Sequence, residues 1–147
     1  MTDVDRRIDA WTLTAMKRIF PGDAVPKGAS KDIRLYAAQG ETECFQIGVR
    51  TEGFSPQRMS AVCSDLAGPD GARIPAENVD LFFAEYVPVK WATSGQAPGD
   101  VEREAPAFFP DPLLPQWRHI GAGPDASRTQ SVWVRVRVPR DAAAGRY

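Results

Sequence analysis

The segment Ser131-Val-Trp-Val-Arg-Val-Arg-Val138 alternates apolar and polar side chains more cleanly than any other part of the chain. Its four valines fall on one face of an extended strand, while Trp133 and two arginines fall on the other. This period of two is typical of a β-strand with one buried face. The turn-like Asp141-Ala-Ala-Ala-Gly145 follows, and we expect a further strand to begin at Arg146, so that the domain continues beyond Tyr147. Strand 131–138 is then an exposed edge, which favours an edge-strand homodimer.

Several segments upstream carry weaker forms of the same signal. We expect strands over residues 33–37, 43–50, 59–66 and 79–89, with turns at residues 39–41 and 68–71. Pro88 favours an edge position or a strand end. Residues 9–20 fit a helix or an extended segment, and we favour the extended form because it leads into a β-rich region. The pattern predicts an all-β fold, an antiparallel β-sandwich of immunoglobulin-like or jelly-roll-like type, over residues 33–147, with residues 1–32 as an N-terminal arm and edge segment.

Residues 91–130 form one long loop rich in proline and aromatic residues in this interpretation. Loops beyond about 12–15 residues are uncommon in compact domains and often functional. A disordered linker is poor in aromatic residues, so we expect this loop to be ordered at least in part. Its side chains suit a sugar, whose C–H faces stack on rings and whose hydroxyls bind carboxylates. The candidate carbohydrate contacts are Trp91, Phe109, Asp111, Trp117 and His119. The alternative is that the loop aromatics only pin the loop to the sandwich or to another domain.

The composition argues against nucleic acid, a membrane and zinc as binding partners of this chain. The 147 residues carry a net charge of −1, without the basic clustering of nucleic-acid binders. No apolar run approaches the roughly 18 residues of a membrane span. The two cysteines and single histidine exclude a Cys/His zinc site, and we expect no metal and no cofactor. A Cys44–Cys63 disulfide is one alternative for the cysteines, and we favour two free thiols. The polar N-terminus lacks the apolar core of a signal peptide, so we expect a cytoplasmic protein unless a signal was removed.

Catalytic motifs are not apparent. Glycosidases need two carboxyl groups about 5–9.5 Å apart, and the pairs Glu41/Glu43 and Glu102/Glu104 supply carboxylates at close spacing. With 19 acidic residues such pairs arise by chance, and we interpret both as solvated turn or loop carboxylates. The chain also lacks the Gly-x-Ser-x-Gly elbow of hydrolases and the glycine-lysine spacing of phosphate loops. We therefore assign no catalytic residue.

An ordered set of segments resembles a known family. The set includes Gln39-Gly-Glu-Thr-Glu-Cys-Phe-Gln46, Ile74-Pro-Ala-Glu-Asn-Val79, Glu85-Tyr-Val-Pro-Val89, Phe109-Pro-Asp-Pro-Leu-Leu-Pro115 and the terminal residues 132–147. In order and spacing they are similar to the N-terminal β-sandwich domain of glycoside hydrolase family 123-like proteins, including bacterial proteins of the DUF4091 type. The resemblance implies that a TIM barrel follows the sandwich, with an acidic pair in the barrel and the substrate's own acetamido group as nucleophile. The resemblance carries no catalytic residue onto this chain.

Three functional hypotheses remain open from the sequence. The first is a non-catalytic sandwich that flanks and supports a glycoside-hydrolase-like barrel absent from this chain. The second is a carbohydrate-binding module that uses the loop aromatics. The third is an immunoglobulin-like protein-interaction domain.

Overall fold

The computed structural model describes residues 7–53, 59–92, 95, 99, 101–115 and 128–147. Its regular structure consists of β-strands and two short 3-10 helices, Pro69–Gly71 and Ala76–Asn78. The strands within these residues are β1 (Arg7–Thr14), β2 (Thr42–Glu52), β3 (Leu66–Ala67), β4 (Arg73–Ile74), β5 (Val79–Val89), β6 (Ala107–Pro115) and β7 (Arg128–Arg137). Five of them form one antiparallel sheet in the order β1-β2-β7-β5-β6, and β3 pairs with β4 in a short second sheet. The predicted all-β, antiparallel fold class is confirmed.

Strand β7 lies at the centre of the large sheet, between β2 and β5. Its valine face is buried as predicted, with Val132 2% and Val134 3% exposed, but the opposite face is covered as well, because Ser131 is 0% exposed and Trp133 is half-buried. The prediction that this strand is an exposed edge is wrong, since it is hydrogen-bonded on both sides. The outermost strands are β1 and β6 instead. Dimerisation through a strand edge stays a prediction.

Buried apolar side chains lie on both faces of the large sheet: Trp11 lies on the face opposite the valines, and Leu81, Phe83, Val132 and Val134 lie on the valine face. The register sets side chains of three neighbouring strands in rows across this face: Phe45, Val134 and Leu81 in one row, and Ile47, Val132 and Phe83 in the next. Burying a side chain of this size contributes about 1.5–3 kcal/mol. The predicted strands over 43–50 and 79–89 are confirmed, because their apolar positions complete the valine face of β7.

The predicted long loop contains a strand that the sequence pattern did not indicate. Strand β6 pairs with β5 from Phe82↔Pro115 to Val89↔Ala107, with a register shift next to Ala84 and Tyr86. Between Pro110 and Leu113 it has one residue more than β5 has between Tyr86 and Ala84, as in a β-bulge. Proline lacks a backbone N–H and is restricted to edge strands, strand starts and bulges. The prolines that indicated a loop therefore fit an outermost, bulged strand.

Two predicted strands are not formed. Residues 33–37 have no regular secondary structure, and of residues 59–66 only Leu66 belongs to a strand, with an isolated bridge at Met59. An alternating sequence is compatible with a β-strand, but the strand forms only where a neighbouring strand is available to hydrogen-bond with it. Tyr36 and Val62 are consequently 85% and 91% exposed.

The predicted turns are confirmed. Gly40 takes the left-handed conformation that glycine tolerates best, with φ +80°. Residues 68–72 close the β3–β4 hairpin, where the Gly68 N–H donates to the Ala72 carbonyl at 2.8 Å. Cys44 and Cys63 are both free thiols, as expected.

Strand β1 confirms the extended interpretation over Arg7–Thr14 and packs closely on β2. Trp11 pairs with Gly48, and its indole ring is almost fully buried. A β-carbon built on Gly48 would overlap this ring. The position therefore requires glycine because of the ring above it.

We expect Gly48→Ala to lower the free energy of unfolding by about 1–3 kcal/mol, because the methyl group forces Trp11 out of its packed position. Urea denaturation followed by Trp fluorescence measures the change. Gly22→Ala is the matched control, since a β-carbon there meets no atom within 4 Å. Equal destabilisation by the two variants would contradict the packing argument.

Candidate functional site

The five predicted carbohydrate contacts are not gathered by the described structure. Trp117 and His119 lie outside the described residues. Trp91 follows the end of β5, while Phe109 and Asp111 belong to β6. Their role in sugar binding stays a prediction, and each of the described positions has its own environment.

Phe109 is half-buried and packs on Phe20. Its ring meets the Phe20 ring edge-on, with centroids 5.5 Å apart and planes at 79°. The Arg103 guanidinium lies 3.9 Å from the centroid of the same Phe20 ring, on which it stacks as a cation. Phe109 thus helps to fix residues 15–23 against β6, which agrees with the alternative that loop aromatics pin the loop.

Asp111 and Trp91 are both exposed. Asp111 lies in the bulged part of β6, between Pro110 and Leu113. Trp91 is 80% exposed, and the Lys90 ammonium lies 5.9 Å from the centroid of its ring. Tryptophan is highly buried on average, so the exposure of the Trp91 indole is unusual.

A buried polar cluster that the sequence did not predict lies on the face of the sheet opposite the valines. We call it the polar seam, and it consists of Gln46, Thr129 and Ser131 with the Tyr86 phenol and the Asp23 backbone. The Ser131 hydroxyl donates to Gln46 Oε1 at 2.9 Å, and the Gln46 amide nitrogen donates to the Thr14 and Lys17 carbonyls. Ser131 is 0% and Gln46 4% exposed. The seam satisfies polar groups whose burial is otherwise costly.

Residues 15–23 are held over the seam by further hydrogen bonds. The Thr129 N–H donates to the Pro21 carbonyl at 2.9 Å, and Arg50 donates to the Asp23 carbonyl at 3.0 Å. The Asp23 carboxylate caps the turn by accepting the Phe20 N–H at 2.8 Å, and it accepts Arg103 at 2.7 Å. The irregular segment 15–23 is therefore held by the sheet, through Thr129 and Arg50, and by the chain that precedes β6, through Arg103.

Tyr86 takes the place of missing strand pairing. The pairing of β5 with β7 ends at Phe83↔Val132. Beyond that point the Tyr86 hydroxyl donates to the Thr129 carbonyl at 3.1 Å and accepts the Ser131 N–H at 3.2 Å. Burial raises the pKa of the Tyr86 phenol, and the negative charge of Asp23 adds to this, while the hydrogen bond from Ser131 opposes it. The signal available in the sequence was the polar alternation Thr129, Ser131 opposite the valines.

Two of the four carboxylates considered for catalysis, Glu41 and Glu102, are engaged in the fold. Glu41 accepts the Ala38 N–H at 2.8 Å across the turn, and Glu102 forms an ion pair with Arg18 at 3.2 Å. Among the residues that the structure describes, no group of three or more His, Cys, Asp or Glu side chains is placed to hold a metal ion. In the same part of the chain, no helix is long and apolar enough to cross a membrane.

The fold and these placements define an antiparallel β-sheet domain whose acids hold turns and loops in place. Residues 21–147 match the family model described as the glycoside hydrolase 123 N-terminal domain. The chain belongs to this family, and the resemblance noted in the sequence is confirmed.

A solved structure supports the same fold. It is described as "The details of glycolipid glycan hydrolysis by the structural analysis of a family 123 glycoside hydrolase from Clostridium perfringens". It is 15% identical to this chain, with a TM-score of 0.60 over 94% of this chain and 22% of its own. The chain thus spans about a fifth of the length of that protein, and the likeness concerns the fold alone. A search of curated proteins found no match.

We expect the stability of the protein to fall as pH rises above about 10, the ordinary pKa of tyrosine. The raised pKa of folded Tyr86 means that the unfolded chain loses this proton first and is then stabilised. The contribution is complete below that pH and is lost as pH rises toward the folded pKa. Urea denaturation at a series of alkaline pH values should show a shallower fall for Tyr86→Phe.

Tyr86→Phe should also lower the free energy of unfolding at neutral pH by about 1–3 kcal/mol, because it removes the hydroxyl that serves Thr129 and Ser131. Tyr36→Phe is the control, since Tyr36 is exposed. A pH dependence identical in wild type and Tyr86→Phe would exclude Tyr86 as its source.

Proposed function

We propose that this chain is a non-catalytic domain that flanks and supports a glycoside-hydrolase catalytic barrel. The observation that carries the proposal is the match of residues 21–147 to a domain defined as the N-terminal part of family 123 enzymes. The solved family 123 protein agrees with it, because only 22% of its length corresponds to this chain. The rest of such a protein is long enough to hold a separate catalytic domain.

The carboxylates support a structural role. Glycoside hydrolysis requires an acid and a second carboxylate left available to the substrate. Here Glu41 holds a turn, while Asp23 and Glu102 bind arginines that join residues 18–23 to residues 102–103. These groups are used to fix irregular segments on the sheet.

A surface suited to a neighbouring domain lies on the irregular stretch 33–38. Ile33 is half-buried, and Leu35, Tyr36, Ala37 and Ala38 are exposed. Only Arg34 in this stretch is charged. Depletion of charge and an exposed tyrosine are typical of the central part of protein interfaces. We place the contact with the barrel here.

The first test is catalytic. The 147-residue chain alone should release no chromophore above the buffer rate from nitrophenyl glycosides, including the N-acetylgalactosaminide. Glu41→Gln and Glu102→Gln should leave that background unchanged. Hydrolysis by the wild type that either variant abolishes would overturn the proposal.

The second test concerns the contact surface. Tyr36→Ser with Ala37→Ser should leave the melting temperature of the isolated chain nearly unchanged, because both positions are exposed and surface substitutions usually alter stability by less than about 0.5 kcal/mol. The same pair should weaken co-purification with a barrel encoded by the same gene and expressed separately. Met16→Ser, at an exposed position in another segment, is the control. Unchanged co-purification would exclude residues 33–38 as the contact with the barrel. A gene that encodes no barrel would exclude the proposed supporting function.

A further inference from the structure

Three exposed cations lie within or just before the apolar surface of residues 33–38. They are Lys27, Lys31 and Arg34, and we call them the basic rim. In the part of the chain that the structure describes, none of the three side chains forms an ion pair. Four arginines of the large sheet, in contrast, each bind a carboxylate. The charge of the basic rim is therefore left available to a partner.

The chain itself keeps the basic rim close to the exposed apolar side chains. The Cα atoms of Lys31 and Arg34 are at most about 11 Å apart, and those of Lys27 and Lys31 at most about 14 Å. Arg34 directly precedes Leu35 and Tyr36, which are 37% and 85% exposed. One side of a standard protein interface covers about 800 Å², a patch about 30 Å across. The basic rim and the apolar side chains therefore fit within one such patch.

This surface is held in place at two points. Near the basic rim, the Thr12 hydroxyl on β1 donates to the Asp32 carbonyl at 2.8 Å. At the far end of the apolar residues, the Gly40 N–H donates to the Val138 carbonyl at 3.0 Å. A surface that is already ordered loses less conformational entropy when a partner binds than a floppy segment does.

The neighbouring charges leave the surface positive on one side. Asp32 is the one carboxylate among residues 27–38. At the far end, Glu41 accepts the Ala38 N–H at 2.8 Å, and the Arg140 side chain lies against Gly40. These two opposite charges offset each other, so the excess of positive charge lies at the basic rim.

We propose that the barrel meets this surface with an apolar patch opposite residues 33–38 and with aspartate or glutamate carboxylates opposite the basic rim. The inference rests on the proposed function and adds the chemistry of the partner surface. Interfaces combine an apolar centre with a polar rim, and complementary charges fix their register. Because the cations lie toward one end of the apolar residues, the pairing also fixes the orientation of the barrel. The Arg34 guanidinium suits a carboxylate particularly well, since it donates two parallel hydrogen bonds.

Carbodiimide cross-linking of the full-length protein encoded by the gene tests this pairing. The reagent joins a lysine amine to a carboxylate only where the two groups are in direct contact. Digestion and mass spectrometry should find Lys27 or Lys31 linked to an aspartate or glutamate of the barrel. Lys90 is the control, because it is also exposed but follows β5 near the opposite edge of the sheet. It should form no link to the barrel.

Charge reversal provides a second measurement. Lys31→Glu with Arg34→Glu should weaken association with the separately expressed barrel about tenfold or more, because like charges then face each other. Lys90→Glu should bind as the wild type does. Both variants should melt within a few degrees of the wild type, since the positions are exposed. This comparison separates loss of binding from loss of folding.

The possible failures of the two proposals are distinguishable. Absence of links from Lys27 and Lys31, or barrel association that the double charge reversal leaves unchanged, would overturn the acidic partner surface. The supporting function would survive either result, because the barrel would then bind the chain in another way. A barrel that does not associate with the wild-type chain would exclude both proposals.

Discussion

The hydrogen bond between the Ser131 hydroxyl and the Gln46 side chain joins the two longest-paired strands of the sheet on the face that carries no valines. Both residues are almost completely buried, so this bond is made away from competing water. The Gln46 amide nitrogen donates to the Thr14 and Lys17 carbonyls and so fixes the chain that leaves β1. That chain continues to Phe20 and Asp23, which contact Phe109 and Arg103.

The apolar pattern of the sequence predicted the strands whose apolar side chains share one face of the sheet. Strands β2 and β7 were visible as apolar residues at a spacing of two, and β5 as a nearly continuous apolar run. The three strands share one apolar face. The same signal failed over residues 33–37 and 59–66, where the apolar residues find no ladder to join. It failed in the opposite sense for β6, because prolines mask a strand that lies at the edge.

The candidate site was less predictable, since exposure is a property of the tertiary structure. Sequence composition drew attention to Trp91 and Phe109 equally, but the fold packs one ring and leaves the other in solvent. Phe108 and Phe109 are adjacent and chemically identical, so only the register of β6 on β5 separates their environments. The polar seam could not be predicted from the sequence either, because a polar residue opposite a valine face is ordinarily solvated.

The prolines of β6 give the large sheet a preferred direction for engineering. An edge strand whose donors are replaced by proline cannot template a ladder with another chain. A designer who wishes to append a strand must therefore work at β1 and displace residues 30–32 from its edge, because the Thr12 N–H already donates to the Ser30 carbonyl and the Thr12 hydroxyl to the Asp32 carbonyl. The β6 side is better suited to rigid linkers that leave the hairpin undisturbed.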